Sequence, residues 1–318
     1  MDINKQSFES IFLQSVTEGN LDKIRSCINL GINVNICDNN GTPVLMSAIM
    51  NPNPDMLKLF LSQPNIDVNI KNQNAGGTTV LMFACMAGLP DVVKILCQVP
   101  GIDLNFQTGD GITAAIFAVS YQNQGCVQVL STVPGVNWNI KDKENVSPLA
   151  LAVHRGCIDI LRILMTIPTI DFNIGGGSHK TIAQIAVESS GPNSIHCLNL
   201  LSRDSRVNWN IRSADGETPI MYAWKNRRSE MFRILMNIPT IDRNTFMQET
   251  FNVIDGMSAP ECPVCYDRFT RNSHVFQCTL GHFVCERCHQ RIQSCPKCRG
   301  QMAGRCHDFE QFLQTLNL

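Results

Sequence analysis

The chain has 318 residues, 44% hydrophobic and 17% charged, with a formal net charge of -1. That balance gives no global electrostatic reason to expect a nucleic-acid or anionic-membrane partner, and no apolar run approaches the roughly 18 residues of a membrane helix. The opening MDINKQSFESIFLQSV lacks the basic start and apolar core of a secretory signal. The expected compartment is therefore the cytoplasm or nucleus, where the 15 cysteines do not form disulfides and clustered ones more often hold metal or do chemistry.

From the first residues onward a phrase recurs: NVNI at 33, DVNI at 67, DLNF at 103, NWNI at 137, DFNI at 171, NWNI at 208 and DRNT at 242. Its asparagines (Asn35, Asn69, Asn105, Asn139, Asn173, Asn210, Asn244) are 34, 36, 34, 34, 37 and 34 residues apart. A period that regular marks a repeat array. Within each unit a glycine-bearing turn precedes a small-residue helix, as in TTVLMFACMAG, SPLALAVHRG and TPIMYAWKN. Alanines 48, 84, 118, 152, 186 and 223 hold one slot and let helices approach closely. A second helix carries apolar residues at helical spacing, as in DVVKILC and DILRILM. It stops near a proline (Pro64, Pro100, Pro134, Pro168, Pro239).

On these residues the chain resembles an ankyrin-repeat array over about residues 5–245, with a capping helix pair and six further pairs. TPIMYA, SPLALA and TTVLMFA match that family's Thr-Pro-Leu-His-x-Ala signature with the histidine replaced. The fifth repeat, GGGSHKTIAQIA, diverges most, and an irregular turn is expected there. Such units bury their apolar faces only against neighbours. The resemblance implies a protein-binding module, with nothing catalytic in the repeats. Phe83, Phe117, Leu151, Ile185 and Tyr222 share one slot and are read as packed between repeats, as are Trp138, Phe172 and Trp209. The positions after the small-residue pair should face the concave groove. Met50, Met86, Tyr121, His154, Arg155, Glu188 and Lys225 are therefore the candidate substrate-docking residues, weighed against a merely solvated face.

After Asn244 the period ends, 246–260 reads as a junction, and from Cys262 the chemistry changes. Cys262, Cys265, Cys278, His282, Cys285, Cys288, Cys295 and Cys298 are spaced C-x2-C-x12-C-x3-H-x2-C-x2-C-x6-C-x2-C. A CxxC pair places both sulfurs on one ion, and eight soft ligands make two closed tetrahedral sites that suit zinc. Too few apolar residues lie between them for an ordinary core, so metal would supply stability on the order of 10–16 kcal/mol. Redox-active CxxC pairs would need one pair in a thioredoxin-like context, and four interlocked pairs or half-pairs argue against that. Spacing alone fits sequential and interleaved ligand pairing equally.

The order of three cysteines, one histidine and four cysteines, with GH at 281–282, resembles a RING finger (261–300). The frame CPVC…CPKCR is closest to the seven-in-absentia type. The resemblance implies interleaving: Cys262, Cys265, Cys285 and Cys288 on one zinc, Cys278, His282, Cys295 and Cys298 on the other, with His274 and His289 as poorer histidines. It implies a ubiquitin ligase that binds a charged conjugating enzyme and contributes no nucleophile of its own. The family's contact positions fall on Val264, Ile292, Pro296 and Arg299, the last able to bridge conjugating enzyme and ubiquitin. The other reading for Val264 and Ile292 is packing of the small domain itself.

Residues 301–318 are expected to form a C-terminal amphipathic helix with Phe309, Phe312, Leu313 and Leu316 on one face. A homodimer through this helix is one expectation, and packing against the RING or last repeat is the other. Cys306 is a lone thiol and is read as incidental. The predicted architecture is thus mostly α: an ankyrin solenoid followed by a small cross-braced, two-zinc RING. The array would select a protein substrate while the RING recruits conjugating enzyme and ubiquitin. The alternative is a non-catalytic scaffold or adaptor whose zinc module only binds protein.

Overall fold

The computed structural model describes residues 2–51, 53–174, 176, 180–243, 245–246, 262–270, 272–278, 283–297, 299–307 and 310. It divides into two compact units, Met1–Ser178 and His179–Leu318. The division falls in the GGGSHK stretch of the most divergent repeat.

The first unit holds five helix pairs: α1 (Asp2–Glu18) with α2 (Leu21–Asn29), α3 (Val44–Met50) with α4 (Pro54–Leu61), α5 (Val80–Ala87) with α6 (Pro90–Leu96), α7 (Ala114–Ser120) with α8 (Gln124–Ser131), and α9 (Pro148–Arg155) with α10 (Ile158–Met165). The inner helices α1, α3, α5, α7 and α9 each stack on the next. Ala48, Ala84, Ala118 and Ala152 are fully buried there, so the small side chain is what lets the backbones close up. A short antiparallel hairpin, β1 (Lys71–Asn72) and β2 (Thr78–Thr79), leads into α5. The second unit begins with α11 (Ile182–Glu188), α12 (Ser194–Leu201), α13 (Pro219–Lys225) and α14 (Ser229–Met236), in which α11 stacks on α13 and α12 on α14.

The inner helices α5, α7, α9, α11 and α13 start alike for a local reason, whereas α3 begins at Pro43 without a side-chain cap. Thr79, Thr113, Ser147, Thr181 and Thr218 are N-caps whose hydroxyls accept from backbone N–H groups three residues on. The proline that follows in SPLALA and TPIMYA sits in the first turn, where its missing N–H costs nothing. Gly88 and Gly156 end α5 and α9 at φ 69° and 67°, a left-handed angle that glycine adopts without strain.

The periodic asparagines are cross-repeat clasps. Asn105 donates through Nδ2 to the Gly135 carbonyl at 2.8 Å and accepts at Oδ1 from the Asn137 N–H at 2.7 Å. Asn35, Asn69, Asn139 and Asn210 repeat the pattern on the loop of the next unit. An amide carries both a donor and an acceptor, which is why asparagine fills the slot.

Trp138, Phe172 and Trp209 are buried, as the repeat register predicts. The other aromatic slot differs. Ile185 is buried, but Phe83, Phe117, Leu151 and Tyr222 are only partly covered. They sit one residue before the packed alanine, on the flank of each inner helix, so stacking shields them from one side only.

Residues 262–310 include a three-stranded antiparallel sheet in the order β4–β3–β5, with β3 at Val275–Cys278, β4 at Phe283–Cys285 and β5 at Met302–Arg305. One helical turn, α15 (Glu286–His289), follows β4. Residues 302–305 are therefore a strand and not the start of a C-terminal helix, because the free edge of β3 offers them a ladder: Phe276 pairs with Arg305 and Gln277 with Gly304. Phe309, Phe312, Leu313 and Leu316 lie outside the described residues, as does most of the 246–260 junction. Its first residue, Phe246, is buried against Trp224 and Phe232.

Candidate metal centre and docking face

Four cysteines converge. The Cys262–Cys265 turn meets Cys285 at the end of β4 and Cys288 on α15, and all four sulfurs lie within 4.8 Å of one another. The chain reaches this arrangement by passing over Cys278, which lies between the two pairs in sequence. Cys262 and Cys288 are buried, and Cys265 and Cys285 are partly so. The Cys265 and Cys285 sulfurs are 3.7 Å apart. A tetrahedron with metal–sulfur bonds of about 2.3 Å has edges of about 3.8 Å, so the donor set fits zinc.

The electrostatics point the same way. Burial pushes the Cys262 thiol up, but the N–H groups of Cys285, Cys265 and Val264 oppose it and bring it down to about 7. Cys285 and Cys288 are pushed up, first by burial and then, for Cys288, by the neighbouring thiols. Four thiolates this close repel one another unless a cation joins them, and a dication removes that penalty. Arg287, one residue before Cys288, pairs with Asp267 beside the cluster.

For the other proposed ligand set, Cys278 is buried at the end of β3 and Cys295 is buried. His282 and Cys298 lie outside the described residues. The two rival histidines are engaged elsewhere: His274 with Arg305 and Glu310, and His289 stacked on Phe276 at 4.0 Å.

The conjugating-enzyme candidates lie on or near the surface. Val264 is 38% exposed, Ile292 is half-buried, and Pro296 and Arg299 are exposed. Among the described residues of 262–310, Phe269, Val275 and Val284 are the apolar side chains buried besides the cysteines. With those in place, an exposed Val264 is more than packing requires.

In the first unit, Met50 is 59% and Tyr121 55% exposed, His154 and Arg155 are exposed, and Met86 is half-buried. Tyr121 leans on Phe117, with ring centroids 6.3 Å apart. The charged members of the row already have partners. Arg155 donates to the Ser120 carbonyl; in the second unit Glu188 pairs with Lys180 and Lys225 with Glu217, each at 2.5 Å. What is left unpaired in the first unit's row is mainly apolar and aromatic, which the sequence row, running from apolar to charged, did not reveal.

Two family profiles match this chain. One, described as ankyrin repeats in three copies, covers residues 11–108 and 99–176. The other, the RING finger of the E3 ubiquitin-protein ligases sina/sinah, covers residues 262–298. The chain is an ankyrin-repeat protein with a C-terminal Sina-type RING domain.

Curated relatives match over the RING region. Human E3 ubiquitin-protein ligase SIAH2 is 45% identical over 42 residues, 13% of this chain and 12% of that protein. Drosophila melanogaster E3 ubiquitin-protein ligase sina is 43% identical over 54 residues, 15% of this chain and 17% of that protein. The match thus spans under a fifth of each relative. Among solved structures, the ankyrin repeat domain of Bcl-3 superposes with a TM-score of 0.63 at 23% identity, covering 71% of this chain and 98% of that one. The ankyrin repeat protein EF0377 gives 0.54 at 19%, covering 61% and 96%. These support the fold alone.

Proposed function

We propose that this protein is a RING-type ubiquitin ligase that takes its substrate on the ankyrin repeats. The observation that carries the reading is the tetrathiolate cluster within a Sina-type RING, flanked by an exposed Val264 and an exposed Arg299. Cys262, Cys265, Cys285 and Cys288 would hold one zinc, and Cys278, His282, Cys295 and Cys298 a second. Four protein ligands on each ion would leave no position for water, so zinc there would supply structure and not reaction chemistry.

The chain's own part is positioning. Val264, Ile292 and Pro296 would dock a ubiquitin-charged conjugating enzyme. The Arg299 guanidinium, with donors in a planar fork, would bridge that enzyme and ubiquitin and restrict the thioester to a geometry open to a substrate lysine. No covalent intermediate forms on this chain. Residues 1–245 would form the array, 246–260 a junction and 261–300 the RING, working in the cytoplasm or nucleus. Met50, Met86, Tyr121 and His154 are the leading substrate contacts, with Arg155, Glu188 and Lys225 secondary. A homodimer through the C-terminal segment is part of the same proposal.

The test compares the wild-type protein with Ile292→Ala and Arg299→Ala, after metal analysis has confirmed two zincs in each. Both variants are expected to keep their zinc and lose about tenfold or more of the stimulated discharge of ubiquitin onto free lysine. Wild-type activity retained by both variants would refute the assigned contacts.

A further inference from the structure

The two compact units use different cations. Met1–Ser178 carries seven lysines and three arginines, whereas His179–Leu318, which contains the RING, carries three lysines and thirteen arginines. The repeats allow a comparison at matched positions. DVNIK at 67 and NWNIK at 137 end on Lys71 and Lys141, but NWNIR at 208 ends on Arg212. The outer helices α4, α6 and α14 each have an acid in the first turn and a cation three residues later: Lys58, Lys94 and Arg233. Arg162 on α10 shows that this slot accepts either side chain.

Geometry explains part of the bias. Arg206 grips Asp204 through Nε and Nη2 at 3.0 and 2.7 Å, a task suited to a planar fork. Arg203, Arg227 and Arg233 have no such task. They are exposed, and their side chains make no hydrogen bond or ion pair among the described residues. A lysine at these positions would carry the same charge. The difference is chemical: a guanidinium stays protonated, whereas a lysine can lose its proton and become a nucleophilic amine. Two of the second unit's three lysines are already held. Lys180 donates to Glu188 and Lys225 to Glu217, each at 2.5 Å, and those carboxylates keep both amines protonated to higher pH. The third, Lys297, lies in a zinc turn between Pro296 and Cys298.

A lysine on the same chain as a RING competes with substrate, because a short tether presents it at an effective concentration on the order of millimolar. When such an amine attacks the thioester, the isopeptide C–N bond forms and the C–S bond breaks. The conjugating enzyme's sulfur leaves as the thiolate, and the amine's proton goes to it or to solvent. We propose that arginine stands in for lysine in the second unit so that this unit is a poor acceptor for the ubiquitin its own RING delivers. The inference rests on the ligase reading above and adds protection from self-modification to it.

The experiment incubates the 318-residue chain with activating enzyme, ATP, ubiquitin and the conjugating enzyme it stimulates best, without substrate, and maps the modified lysines by mass spectrometry. Wild type is compared with a variant combining Arg203→Lys, Arg227→Lys and Arg233→Lys, and with each substitution made singly so that a misfolded variant does not silence the others. The new lysines are expected to acquire ubiquitin and to raise modification of the second unit about fivefold or more. Discharge onto free lysine should stay within about twofold of wild type, which shows that the RING is intact. New lysines left unmodified by variants that still discharge onto free lysine overturn this inference and leave the ligase reading standing. Wild-type self-modification concentrated on Lys180, Lys225 or Lys297 overturns it too. A wild-type protein inert on free lysine with every conjugating enzyme sinks the ligase reading and takes this inference with it.

Discussion

One asparagine side chain links period to stability. Asn105 makes two hydrogen bonds to the loop at 135–137 and makes them with a single amide. Asn105→Ala removes both and is expected to lower the unfolding free energy by about 1–2 kcal/mol, read by urea denaturation. An unchanged midpoint would mean that water replaces the clasp without loss. The cap at Thr113 makes a comparable case: Thr113→Ala leaves the Ile116 N–H without its side-chain acceptor and should cost about 1 kcal/mol. The asparagine period was plain in the sequence, but the partner was not. A residue that bonds some 30 positions away gives no local sign of where it reaches.

At the scale of elements, β5 closes the small domain through a carboxylate. Glu310 is the one acid buried among the described residues. It accepts from the Val275 N–H at 2.9 Å and from Arg305 Nε at 2.8 and 3.0 Å, with His274 and His307 nearby. Burial pushes its carboxyl up, but Arg305 and the Val275 N–H outweigh that and hold it below its ordinary value of 4.5. Because the folded state favours the ionised form, Glu310 stabilises above that ordinary value, and the contribution is lost as pH falls through the depressed one. The gap in thermal midpoint between wild type and Glu310→Gln should be present at about pH 5 and above and shrink as pH falls below it. A gap independent of pH would mean that shape alone holds the latch. The CxxC spacings made the metal cluster readable, since paired thiols at that spacing can place both sulfurs on one ion. The strand MAGR was not readable: it has no alternation of its own and is ordered by the exposed edge of β3 and by a glutamate five residues beyond its end. The half-covered Phe83, Phe117, Leu151 and Tyr222 escaped for a related reason, because helical spacing marks an apolar face but not how much of it a neighbour shields.

Across the whole molecule, two kinds of stabilisation stand in one chain. The repeats bury Phe12, Phe60, Leu81 and Trp209 among many others, whereas residues 262–310 have few apolar side chains and a thiol cluster. Chelation should therefore unfold the small domain and leave the helical circular dichroism of the repeats nearly intact. Loss of most helical signal with the metal would contradict that separation. The most direct test of the account is discharge of ubiquitin onto free lysine from a panel of charged conjugating enzymes, with the zinc-loaded 318-residue chain added or withheld. The account predicts strong stimulation of at least one of them, abolished when the metal is stripped. A protein that carries two zincs and stimulates none would be an adaptor whose zinc module only binds, contradicting the central claim.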